Sequence, residues 1–293
     1  MASPKRPYFK SLAIILILLA IIIPTISAAR TQFGPDCNVY GDSDVYGLGI
    51  RLSLYLQWFG TIILHLFSPA DADITRKSTV VIILALYINE YQSMASGSLI
   101  ALEWSILWFL TFSLSILNLP VSSNGFKKNG ATISLMLVLC AAYYVISPWV
   151  FFRWLDNGRS DGCDLKMFIF TPVSMYSHGF RVAFKILSVM NAVILLPIAL
   201  SVAFIALKKW FQNWHNQEVR GFEEEPNPKS AVLALLQIVG GCIAIGFLEK
   251  SLSLNKVSFP GASISDSGQL IPLLIGIFAL VSAVFAAIRT LTK

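Results

Sequence analysis

Four ionisable residues, Arg51, Glu90, Glu103 and Lys185, stand inside or at the ends of long apolar runs. An ionised side chain at that depth in a bilayer costs kilocalories unless it is paired, wet or able to snorkel, so all four are expected to face the interior or mouth of a helical bundle. If the runs are helices, Arg51, Tyr55, Trp58, Ile62 and His65 follow one another at intervals of four, three, four and three residues and share one face. Such a stripe could line a conduction or binding path, with Tyr55 and His65 among the residues of a polar, outward-opening cavity. Arg51 and Glu103, each about one turn inside its run, are expected to pair. A purely structural ion pair with aromatic packing fits the same pattern.

The other reactive side chains are sparse. Cys140 and Cys242 fall within apolar runs and are expected as buried packing residues, while Cys37 and Cys163 fall in polar segments on one side and are expected to form a disulfide. The acids between Asp36 and Asp44 lack the spacing of a calcium loop, and Asp44 is expected to cap a helix. His65, His178 and His215 are scattered, and neither a CxxC pair nor an HExxH run occurs, so no metal and no cofactor is expected.

The stretch from Tyr46 through Arg51 to Tyr55, Leu56, Gln57 and Trp58 resembles a pattern near the N-terminus of fungal multi-pass membrane proteins of unassigned function. The likeness centres on residues 36–58. It implies a fungal source and a membrane location, and no residue roles come with it.

These residues need elements to position them, and composition says which. Apolar residues make up 56% of the 293 and charged ones 13%, about half the usual charged share of a soluble chain. The formal charge of +6 is spread along the flanks of apolar runs, as suits membrane orientation and anionic headgroups and not nucleic acid. Lys5, Arg6 and Lys10 precede an apolar run from Leu12 to Ile23, then Pro24 and the small residues Ser27, Ala28 and Ala29. This layout predicts a signal peptide over 1–29 and a mature domain over 30–293, with a retained signal anchor as the alternative. Seven further runs, at about 47–67, 76–92, 98–119, 131–152, 182–207, 231–247 and 270–288, predict an all-α polytopic bundle of seven transmembrane helices. The second is interrupted by Asn89 and Glu90, so a re-entrant or tilted segment competes there.

Basic residues, led by Lys208 and Lys209 at a helix end, are richer on the side of the C-terminus, which predicts an N-terminus outside and a C-terminus in the cytosol. The plasma membrane or the secretory pathway is the expected location. Gly240, Gly241 and Gly246 in the sixth run and Ser282, Ala283, Ala286 and Ala287 in the seventh suit close helix contact, within the bundle or between copies of the chain, so a homo-oligomer stays open. The leading expectation is a channel or transporter for an ion or small solute, with membrane lipids and that solute or ligand as partners. A seven-helix receptor, an intramembrane enzyme acting on a lipid or isoprenoid, and an accessory membrane protein are the alternatives, with an enzyme less expected than not.

Overall fold

The computed structural model describes residues 32–33, 37–68, 71–97, 99–117, 123–156, 163–216 and 228–292. The expected signal segment, 1–29, lies outside them. Among the described residues the fold is all-α, with seven long helices and two short antiparallel strand pairs. Helix α1 is Leu48–Phe67, α2 Asp73–Ala95 and α3 Ala101–Leu117. Helix α4 is Ser123–Trp149, prolonged by a π-helical turn Val150–Trp154. Helix α5 is His178–Met190, a π-helical turn Asn191–Leu195 and then Leu196–Asn216. Helices α6 and α7 are Pro228–Leu254 and Ser267–Leu291.

Four stretches, Ser43–Phe67, Lys128–Trp154, His178–Gln212 and Ser267–Leu291, are long and apolar enough to cross a membrane. Their outward faces carry bare apolar side chains, among them Phe204, Phe278 and Phe285, each about two-thirds exposed or more. Water would make such continuous patches an aggregation hazard, whereas lipid solvates them. Helix α2 does not qualify, its apolar run being diluted by polar residues such as Asn89, Glu90 and Gln92, yet it is one unbroken helix of 23 residues. It holds because Arg76, Thr79, Ile83, Tyr87 and Glu90 recur every three or four residues and are all buried, so one continuous face packs inward.

Small residues let α1 and α7 run backbone to backbone. A Cβ on Gly276 would sit 2.6 Å from the Ser53 Cα, and Ala279, Ala283 and Ala287 continue the same face. On α6, Gly241 meets the Trp58 indole, whereas Gly240 and Gly246 face open space. Cys242 is exposed on the outside of the bundle and Cys140 only half-buried, which corrects the expectation that both are core residues.

Cys37 and Cys163 are joined, with Cα atoms 5.4 Å apart. The bond ties the segment before α1 to the long loop after α4, which is not wholly irregular but carries a hairpin, β3 Lys166–Ile169 and β4 Thr171–Ser174. Strands β1 Gln32–Phe33 and β2 Val39–Tyr40 form the other antiparallel pair. Side chains at the end of α6 satisfy the β3–β4 hairpin's open edge: Asn255 accepts from the Lys166 N–H at 2.8 Å and Ser251 from the Phe168 N–H at 2.9 Å. Asp42, not Asp44, caps the one-turn helix Ser43–Tyr46 by accepting from the Asp44 N–H at 2.8 Å. These pieces roof one end of the bundle, the disulfide end.

Candidate functional site: a buried polar seam

Chain direction places Arg51, Glu90, Glu103 and Glu249 together at the disulfide end, because α1 and α3 begin there while α2 and α6 finish there. The four sort into two groups. Arg51, 8% exposed, forms an ion pair with Glu249 on α6, and Tyr55 one turn along donates to the same carboxylate at 2.7 Å. The expected Arg51–Glu103 pair is therefore not formed. Glu103 instead accepts from the Tyr46 hydroxyl at 3.0 Å and, like a capping residue, from the Ile100 N–H at 3.3 Å.

Sequence reasoning missed Glu249. The sixth apolar run stops at Phe247, which puts Glu249 in a loop, but α6 continues to Leu254 and carries the carboxylate to α1.

Glu90 is the exceptional residue. It is 2% exposed, held inward by the buried face of α2, and among the described residues its carboxyl group has no hydrogen-bond donor and no cation. Its electrostatic neighbours are the acids Glu103 and Asp42. Asp42 is itself buried, and burial pushes its carboxyl above the usual aspartate range, with the Asp44 charge adding to the rise. The Asp44 N–H and the Asn89 amide, at 3.4 Å, pull in the other direction. Three acids thus converge where neutral or positive partners would be expected. They do not make a chelating cage: among the described residues no three His, Cys, Asp or Glu side chains lie close enough to hold a metal ion.

Beyond the acids the seam between α1 and α2 stays polar. Ser53, Gln57, Thr61 and His65 are all buried. Gln57 accepts from Ser78 at 3.1 Å and Thr79 at 2.9 Å, and donates to Ser53 at 3.1 Å. His65 accepts at Nε2 from the Arg76 guanidinium at 3.3 Å, since arginine only donates. The expected stripe is therefore divided: Arg51 and Tyr55 turn to α6, and His65 turns to α2. Lys185 belongs to neither group, for its ammonium sits 5.1 Å from the ring centroid of Phe152. At the far end of the bundle, Arg289 reaches Asp71 at 3.4 Å. Comparison with family models, curated proteins and solved structures finds no match.

Proposed function

We propose that this protein is an integral membrane channel or transporter for a small cation, a proton included, with Glu90, Glu103 and Asp42 as its acidic station. The observation that carries the reading is Glu90. A buried carboxyl with two acidic neighbours and no partner among the described residues lowers stability, and a fold that needed only packing would be better served there by Gln or Leu. An acid of this kind suits a cation that arrives and leaves. The polar seam through Gln57 to His65 and Arg76 extends the route toward the opposite end, and the compensated Arg51–Glu249 pair keeps Arg51 from cancelling the acids. In this reading all seven helices cross the membrane behind a cleaved signal peptide, in the plasma membrane or the secretory pathway. The disulfide end faces the oxidising side and the C-terminus the cytosol.

Purified protein in proteoliposomes tests it, with imposed gradients of protons, sodium and potassium read by entrapped dyes. The expected result is flux of one of these cations well above that of empty vesicles, lost in Glu90→Gln. Vesicles no leakier than empty ones to all three would overturn the reading. A tag at Lys293 that antibody reaches in unpermeabilised cells would overturn the orientation.

A further inference from the structure

Helices α4 and α5 touch at one end and part at the other. A Cβ at Gly130 would lie 2.2 Å from the Ala206 carbonyl oxygen, so the backbones are in contact away from the disulfide end. Toward the disulfide end each helix widens into a π-helical turn beside a proline, Pro148 in α4 and Pro197 in α5, neither of which can donate to the ladder. Between these turns and α3 lies a cavity of about 280 Å³. Single π-helical turns are rare and gather at functional sites, and here both contribute to the walls, Phe151 from one and Asn191 and Leu195 from the other.

The walls define what fits. Trp108 stacks on Tyr143 with centroids 4.9 Å apart, and Tyr143 stacks on Trp104 at 4.5 Å, so one wall is backed by parallel aromatic planes. Phe151 and Phe184, 5.3 Å apart, add further aromatic lining from α4 and α5. Among the described residues no lining side chain is charged. Ser105 and Ser188 each donate to a carbonyl of their own helix at 2.8 Å, which leaves oxygen lone pairs for a ligand. Asn191 adds an amide that makes no hydrogen bond with the described residues. Met167 of the β3–β4 hairpin closes the roof, and Leu187, 48% exposed, borders the cavity on the outward apolar face of α5. The mouth therefore opens toward lipid.

We propose that this cavity binds a sterol-type membrane lipid, its flat ring system against Trp108 and Tyr143 and its one hydroxyl among Ser105, Ser188 and Asn191. A phospholipid headgroup brings charge that the lining cannot match, and an acyl chain leaves the neutral polar groups unused. The volume is just under the roughly 300–1,000 Å³ of sites that enclose a drug-sized ligand, so the hydroxylated rings enter and the tail lies along α5 in the bilayer. This inference is independent of the cation reading.

Photolabelling tests it in phosphatidylcholine nanodiscs that contain a diazirine analogue of cholesterol, with adducts mapped by mass spectrometry. Labels should concentrate on the lining stretches of α3, α4 and α5 and be competed away by unlabelled cholesterol. Ser188→Phe, which fills the cavity, should cut that labelling by about tenfold, and Asn191→Leu by a few fold. If Ser188→Phe does not fold, Asn191→Leu, at a half-buried position, decides. Labels spread as densely over the lipid-facing side of α7, undiminished labelling in a folded variant, or equal labelling by a phosphatidylcholine with the diazirine in its acyl chain would each overturn the proposal.

Discussion

The guanidinium of Arg51 on α1 holds one oxygen of the Glu249 carboxylate on α6, while the Tyr55 hydroxyl holds the other. The two partners are unequal: Arg51 is 8% exposed, and the Glu249 side chain 44%. Loss of Glu249 strands a buried cation whose Nε already lacks an acceptor among the described residues, whereas loss of Arg51 leaves a carboxylate with Tyr55 and an open side. Glu249→Ala should therefore cost about 3 kcal/mol and Arg51→Met about 1 kcal/mol in detergent. Chemical denaturation of the two variants and the double variant measures both the asymmetry and the coupling. Equal costs, or additive ones, would show that the pair does not hold the two helices.

Asp42 gives a pH dependence with a definite sign. Burial raises its folded-state pKa above the ordinary aspartate value of about 3.9, so the folded state prefers the protonated form. That preference contributes fully below the unfolded pKa and is lost as pH rises through the folded one. Asp42→Asn keeps an oxygen for the Asp44 N–H and removes the charge that Glu90 and Asp44 oppose. Its melting temperature should match the wild type near pH 4 and exceed it increasingly toward pH 7. A constant offset across that range would refute the raised pKa.

What could be read in advance, and what could not, follows from the kind of information each residue carries. The seven helices announce themselves as apolar runs, and the Cys37–Cys163 bond follows from two cysteines on one side of an odd-and-even helix count. Depth along a helix is equally legible, so Arg51 and Glu103 fall at the same end, as expected. Azimuth is not. Which neighbour Arg51 meets depends on how α1 is flanked by α3 and α6, and Glu249 becomes that neighbour because α6 outlasts its apolar run. The extension is fastened by Ser251 and Asn255 to the β3–β4 hairpin, a long-range contact with no local signature. Glu90 falls near the end of α2, as its place in the run implies, but its isolation depends on Arg51 pairing with Glu249 instead.

Backbone proximity separates glycines that look alike in sequence. At Gly276 a Cβ would collide with the Ser53 backbone, while at Gly246 on α6 it would meet nothing within 4 Å. Gly276→Val should thus prevent close packing of α1 on α7 and reduce folded yield severely, in line with overpacking costs of about 1–3 kcal/mol or more. Gly246→Ala should be neutral or stabilise by up to about 1 kcal/mol through helix propensity. Fluorescence-detected size exclusion and thermal melts of both variants check the contrast, and a tolerated Gly276→Val would place the α1–α7 contact elsewhere.

Glu90 should display a conflict between stability and activity. Its carboxyl group is 2% exposed beside Glu103 and Asp42, and none of the described residues offers it a proton donor or a cation. Gln at this position is nearly isosteric and neutral, so it relieves the repulsion and the cost of a buried charge without opening a cavity. Glu90→Gln should raise the melting temperature in detergent, by an amount worth about 1–3 kcal/mol, while it abolishes cation flux in proteoliposomes. Glu103→Gln is the control, because Glu103 already accepts from Tyr46 and from the Ile100 N–H and its replacement disturbs those bonds. It should lower the melting temperature. The pair of variants distinguishes two roles for neighbouring acids: a partnered one that supports the fold and an unpartnered one kept at the fold's expense. A lower melting temperature for Glu90→Gln would mean that the carboxylate has a stabilising partner after all, and unchanged flux in the folded variant would remove Glu90 from the cation path.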